Sequence, residues 1–100
     1  MEIRVTPEPD RIILQPVGPI NSATADEFRI ALMKAVDEHE IPVEVDLDEV
    51  PYISSAALSV MAMAVHRLEQ RNQRLQLSNV ADSVYKVLHM SNFTSMLDIG

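Results

Sequence analysis

The stretch Pro51-Tyr52-Ile53-Ser54-Ser55-Ala56-Ala57-Leu58-Ser59-Val60-Met61-Ala62-Met63-Ala64-Val65-His66-Arg67-Leu68 decides how this chain is read. Just ahead of it, Val43-Glu44-Val45-Asp46-Leu47 alternates apolar and polar residues, the period of a half-buried strand. Pro51 has no backbone N–H to give to a ladder and marks the connecting loop. Behind Ser54 and Ser55 runs a segment rich in Ala, Leu and Met, all strong helix formers. The local plan is strand, short loop, paired hydroxyls, helix. A hydroxyl in that place sits beside unsatisfied backbone N–H groups and the positive end of a helix dipole. Two roles are open to it: capping the helix, or carrying a phosphate whose charge the helix end tolerates.

At 100° per residue, Ala57, Leu58, Met61, Ala64, Val65 and Leu68 gather on one side of this helix, which spans about Ser55 to Asn72. That side is the expected core face. Arg67 and Arg71 fall on the opposite arc, an ordinary solvated surface. Between them lie Ser55, Ser59, Met63, His66 and Gln70. An apolar, unbranched Met63 on a polar arc suits either an adaptable protein-binding surface or packing under a neighbouring loop.

Outward from this stretch the chain alternates elements. Glu2 to Thr6 places Ile3 and Val5 on one face of a strand, Pro7-Glu8-Pro9-Asp10 is turn chemistry, and Arg11 to Val17 reads as a second, antiparallel strand. Gly18-Pro19 closes it. Ser22 or Thr24 is positioned to cap a helix running to about His39, with Phe28, Ala31, Leu32, Ala35 and Val36 on its apolar face. After the central helix come a short strand at Leu75-Gln76-Leu77 and a third helix from Val80 to Leu88. Asn92 to Ile99 reads as a turn of helix and a last half-strand. An initial hairpin followed by alternating strands and helices predicts an α/β fold in a single domain, residues 1–100. Its mixed sheet, with parallel crossovers from Leu14 to Val45 and Val45 to Leu77, is covered by three or four helices.

Composition removes whole classes of function. The chain has 100 residues and no cysteine, so disulfides, thiol nucleophiles and thiolate metal sites are excluded. A formal charge of −7 repels phosphates and argues against nucleic acid or an anionic membrane as the main partner, and favours a monomer. Only 2 glycines are present, and neither a P-loop nor a dinucleotide fingerprint can be written. No apolar run approaches the ~20 residues of a bilayer span, and Met1-Glu2-Ile3-Arg4 lacks a signal peptide's pattern, so a cytoplasmic location without membrane insertion is expected.

Catalytic and metal-binding readings find little support. A serine hydrolase needs a base, an orienting acid and usually a glycine-flanked elbow, whereas alanines follow Ser55. His39, His66 and His89 lack ligand spacing. Asp46, Asp48 and Glu49 follow a strand, where ligands often bind, but without a glycine loop beside them. No cofactor and no enzymatic activity are expected.

The order of elements and the central stretch resemble the STAS domain of bacterial anti-sigma factor antagonists, over nearly the whole chain. Members show a strand ending in glycine, then a polar residue and an Ala-rich helix, matched by Gly18-Pro19-Ile20-Asn21-Ser22-Ala23-Thr24-Ala25. They continue with a Val-rich strand, an aromatic–apolar pair and Asp-Ser-Ser/Thr-Gly-Leu, matched by Tyr52-Ile53 and Ser54-Ser55-Ala56-Ala57-Leu58. Leu75-Gln76-Leu77-Ser78-Asn79-Val80 and Val87-Leu88-His89-Met90-Ser91 are similar to the family's fourth strand and third helix. The resemblance implies phosphorylation at Ser55, with Ser54, which stands in place of the family's aspartate, as the alternative acceptor. It implies an anti-sigma factor that is also a serine kinase as partner, and a serine phosphatase that restores the free form. The implied partner surface comprises Asn21, Ser22, Tyr52, Ser54, Ser55, Ala56, Ser59 and Met63. Ala56 and Ala57 replace the family's second hydroxyl residue and glycine. A competing reading from another class is a STAS adaptor subunit of a membrane transport complex, bound constitutively, with Ser55 only a helix cap. A nucleotide- or small-molecule-binding enzyme at the strand ends ranks below both.

Overall fold

The computed structural model describes residues 1–100. The chain forms β1 (Glu2–Pro7), β2 (Ile12–Val17), α1 (Ala25–Glu38), β3 (Val43–Asp46), α2 (Ser55–Glu69), β4 (Leu75–Ser78), α3 (Asp82–Met90) and β5 (Leu97–Ile99), with a 3-10 turn at Thr94–Met96 before the last strand. The five strands make one sheet in the order β1-β2-β3-β4-β5. The hairpin β1–β2 is antiparallel, and every later pairing is parallel. The expected α/β mixed sheet is the one observed, with three α-helices.

Register explains the alternation in the sequence. Leu14, Val45 and Leu77 stand in one row across the sheet, and all are buried. Ile13, Glu44 and Gln76 form the next row and are half-buried. Apolar residues therefore share the face that meets the helices, and all 25 buried hydrophobic side chains join one cluster. Strands of parallel sheets are more often apolar on both faces. Here the uncovered face is polar apart from Ile13 and Val17 on β2, and is knit together: Glu44 accepts from Ser78 at 2.8 Å and lies 3.1 Å from Arg11, and Asp46 accepts from Asn79 at 2.9 Å.

Several local expectations are corrected. The third helix begins at Asp82 and not Val80, because Ala81 is extended. The central helix ends at Glu69, short of Asn72. Asn72 adopts φ 59°, its N–H donates to the Glu69 carbonyl at 3.1 Å, and the Gln73 N–H donates to Leu68 at 3.0 Å. That pair of bonds is a Schellman ending, with asparagine in the left-handed position. Asn92 closes α3 in the same way. Arg71 thus lies beyond the helix and is no solvated outer residue: its guanidinium donates to the Val36 carbonyl at 2.8 Å and binds Gln73 at 2.8 Å. It ties the end of α1 to the end of α2. On α2, Leu58 is half-buried and Val60 is fully in the core, so the buried face is rotated slightly toward Val60.

Gly18 sits at φ 98°, where its N–H donates to the Glu49 carbonyl at 2.8 Å. The space around it is empty, so glycine is required here by backbone conformation alone.

Candidate functional site

Two loops meet at the head of α2. The chain between β2 and α1 and the chain between β3 and α2 are joined by a parallel bridge between Ile20 and Ile53. The Ile20 N–H donates to the Tyr52 carbonyl at 3.2 Å, and the Ser54 N–H donates to the Ile20 carbonyl at 2.9 Å. Both isoleucine side chains are buried. Their apolar anchoring brings Asn21 and Ser22 beside Tyr52 to Ser55, residues thirty or more positions apart in sequence. A third element joins them: the Ser83 hydroxyl, in the first turn of α3, donates to the Pro51 carbonyl at 2.7 Å.

The two serines divide the roles left open by the sequence. Ser54 is the N-cap: it is extended, half-buried, and its hydroxyl accepts from the Ala56 N–H at 3.3 Å. Ser55 is the first helical residue; it is exposed, and its hydroxyl makes no hydrogen bond within the chain. Its carbonyl accepts from Ser59 at 3.3 Å. Capping is therefore the work of Ser54, and the reading of Ser55 as the cap is corrected. The first turn of α2 carries no acidic side chain, whereas α1 has Asp26 and Glu27 and α3 has Asp82 in theirs. The positive end of the α2 dipole is left without a carboxylate of its own.

The other expected contact residues differ in exposure. Tyr52 is 47% exposed and Met63 46% exposed, while Ala56 is half-buried and Ser59 exposed. Asn21 is held for a structural purpose: its side-chain oxygen accepts from the Ala23 N–H at 2.9 Å and the Thr24 N–H at 3.3 Å. Thr24 occupies the N-cap position of α1, but its hydroxyl does not cap the helix. It donates to the Pro19 carbonyl and accepts from the Asn21 N–H, both at 3.0 Å. Ser22 is exposed. The expected capping by Ser22 or Thr24 is thus replaced by an asparagine turn, whose signal in the sequence is Asn21 standing three residues before Thr24.

The molecule's clefts lie away from Ser55, one between β1 and α1 and one along β4 and β5. The strand-end carboxylates are engaged elsewhere: Asp46 accepts from the Asp48 N–H at 3.0 Å as well as from Asn79. Glu49 binds Arg4 at 2.9 Å, and Arg4 also binds Glu2 at 2.8 Å. The Glu2 hydrogen bond and charge, with the charge of Glu49, raise the Arg4 guanidinium above its ordinary range. His89 stacks on Tyr85 with ring centres 6.0 Å apart. Nothing in the sequence signalled the Ser83–Pro51 contact, because it depends on where α3 is placed.

A mixed sheet with an exposed hydroxyl at the head of its central helix defines a class, and known proteins agree. The STAS domain model matches residues 1–100. A protein of Bordetella bronchiseptica assigned as an anti-sigma factor antagonist, BtrV, is 34% identical over 83% of this chain and 72% of its own length. The anti-sigma-B factor antagonist of Listeria monocytogenes is 28% identical over 90% of this chain and 79% of its own. The chain belongs to the STAS-domain family of anti-sigma factor antagonists, which is regulatory rather than enzymatic. Solved structures agree on the fold. One from Thermotoga maritima superposes with a TM-score of 0.89 at 19% identity, over 97% of this chain and 84% of that one. The Bacillus cell fate determinant SpoIIAA in its phosphorylated form gives 0.74 at 12%, over 99% of this chain and 91% of that one. A sulfate transporter family protein from Wolinella succinogenes gives 0.74 at 25%, over 90% of this chain and 73% of that one. No helix is long and apolar enough to cross a membrane.

Proposed function

We propose that this protein antagonises an anti-sigma factor by binding it through the surface around Ser55, and that phosphorylation of Ser55 ends the binding. The observation that carries the proposal is the separation of the two serines. Ser54 caps α2, so the exposed and unbonded Ser55 hydroxyl can be modified without removing a structural bond. A phosphate there adds about −1.5 to −2 charges and three acceptor oxygens at neutral pH. The uncompensated helix end accepts that charge, so the fold is retained. At a closed interface the same charge has no counter-charge, and the complex weakens by about 2–5 kcal/mol. Asn21, Ser22, Tyr52, Ala56, Ser59 and Met63 are the other residues of the proposed binding surface. A serine kinase that is itself the anti-sigma factor writes the phosphate, and a serine phosphatase removes it. The protein acts in the cytoplasm without a cofactor. The names of the relatives and the phosphorylated state of SpoIIAA support this reading.

The test is intact mass and fragment spectra of the protein recovered from its own cells, for wild type, Ser55→Ala and Ser54→Ala. Phosphate lost only in Ser55→Ala supports the switch as written. Loss only in Ser54→Ala moves the acceptor by one residue. The likeness to a transporter family protein favours one second reading, a constitutive adaptor of a transport complex. Unphosphorylated protein in every growth condition, copurifying with a membrane transporter, would select it.

A further inference from the structure

The outer edge of the sheet at β1 is open and apolar on one side. The hydrogen-bonding phase of β1 follows from its neighbours. The Glu8 N–H donates to the Arg11 carbonyl at 2.8 Å, and that pair continues the register Thr6↔Ile13, Arg4↔Gln15 and Glu2↔Val17. Bonded pairs alternate in an antiparallel ladder, so Glu2, Arg4 and Thr6 bond toward β2. The residue opposite Ile3 is Pro16, which has no N–H to donate, in keeping with that phase. The backbone groups of Ile3 and Val5 therefore point outward from the sheet. Nothing in the chain pairs with this edge.

Beside the edge lies a cleft of about 530 Å³ between β1 and α1, with Ile3, Val5 and Ile30 on its apolar side and Glu27, Lys34 and Glu38 of α1 on its polar rim. Val5 is 52% exposed and Ile30 55% exposed. β1 has no bulge, and its one proline, Pro7, stands at the end of the strand away from Ile3, so it guards only that end of the edge. Its one basic residue, Arg4, stands two positions from Glu2 on the polar face of the sheet.

We propose that β1 is a self-pairing edge, on which a second copy of this chain docks antiparallel about a two-fold axis through Ile3. In that register Ile3 faces Ile3 of the second copy as a bonded pair, and the N–H of Val5 reaches the Met1 carbonyl of the second copy. On the polar face Glu2 falls opposite Arg4 of the second copy, and Arg4 opposite Glu2. The closely spaced non-bonded positions thus carry opposite charges twice over. Moving the axis to Arg4 sets arginine against arginine, and moving it to Val5 places Pro7, without an N–H, at a bonding position. Charge and backbone chemistry select the same register. Val5 and Ile30 are covered from the side of the cleft, and the dimer sheet runs continuously through both copies. None of the residues proposed to contact the anti-sigma factor lies on β1. The overall charge of −7 opposes self-association at low ionic strength, and about 0.15 M salt screens most of that repulsion beyond ~8 Å.

Sedimentation equilibrium of the whole chain at about 0.15 M salt tests the proposal, with thermal unfolding run on each variant to show that it is folded. The expected result is a reversible monomer–dimer equilibrium. Arg4→Glu then weakens association by about tenfold, since both symmetric pairs become repulsive. The double variant Glu2→Arg, Arg4→Glu restores it. Val5→Lys, at a position already half exposed, also dissociates the dimer, and it reads the same edge if charge reversal at Arg4 disturbs folding. A monomer up to about millimolar protein overturns the proposal. So does a dimer indifferent to Val5→Lys and Arg4→Glu, and a failure of the double variant to restore association overturns the register.

Discussion

The Ser54 N–H donates to the Ile20 carbonyl at 2.9 Å, and through that bond the loop before α1 becomes one wall of the surface at the head of α2. Ser54 is thereby held by both its backbone and its side chain, which accepts from the Ala56 N–H. Its neighbour Ser55 is held only by the helix it begins. The difference in constraint between two adjacent serines underlies the reading of Ser55 as the modifiable one.

Replacing each serine with alanine should separate structural and regulatory roles. Ser54→Ala removes the cap and is expected to cost about 1 kcal/mol in urea unfolding. Ser55→Ala leaves stability within about 0.5 kcal/mol, because its hydroxyl is exposed and unbonded. Equal losses for the two variants would contradict this division of labour.

Asn21 is a structural residue as well as a candidate contact. Asn21→Ala strips the acceptor from the Ala23 and Thr24 N–H groups and should cost about 1–2 kcal/mol in chemical denaturation. Asn21→Asp keeps an acceptor in the same place and should unfold at nearly the same urea midpoint as wild type. A destabilisation by aspartate as large as that by alanine would show that the side-chain amide, and not its oxygen, is what the turn requires.

Two residues three apart on α2 should behave oppositely. Val60 is buried in the core, and Val60→Ala is expected to lower stability by about 1–3 kcal/mol. Met63→Ala touches no core and should leave the unfolding midpoint almost unchanged. Calorimetric titration with the anti-sigma factor should instead show weaker binding for Met63→Ala. Unaltered affinity would remove Met63 from the interface.

The left-handed asparagines at the ends of α2 and α3 give a backbone test. Asn72→Ala and Asn92→Ala each place a Cβ-bearing residue of low αL tolerance at φ 59° and 58°, at an expected cost of about 1 kcal/mol. Asn72→Gly and Asn92→Gly should match or exceed wild-type thermal stability. Loss of stability on substitution by glycine would mean that the side chains, and not the backbone, hold these turns.

Arg4 supplies a prediction about pH and salt. Glu2 and Glu49 raise its pKa in the folded state, so the associated stability is fully present below arginine's unfolded value. It is lost only as pH climbs through the raised folded value, far into the alkaline range. The difference in melting temperature between wild type and Arg4→Gln should be flat from about pH 6 to 9. It should shrink toward zero in about 1 M salt, where the Debye length is ~3 Å. A difference that varies across neutral pH would implicate another group in the cluster.

The order of strands and helices was determined by the sequence alone, because periods of two and of 3.6 residues are local and survive without tertiary context. So was the apolar row Leu14, Val45 and Leu77, since one-sided burial imprints alternation on each strand separately. Helix ends were less legible: Asn72 and Ala81 stop or delay helices through single backbone conformations that composition does not announce. The site was visible as a pair of serines ahead of a helix, but not which of the two is the cap. That choice came from the tertiary structure. Ile20 and Ile53 bury together and fix the backbone of Ser54 in the extended conformation of an N-cap. Arg71 and Ser83 show the same limit, for each finds a carbonyl more than thirty residues away. Long-range hydrogen bonds depend on where packing brings two segments together, and no local pattern encodes that meeting.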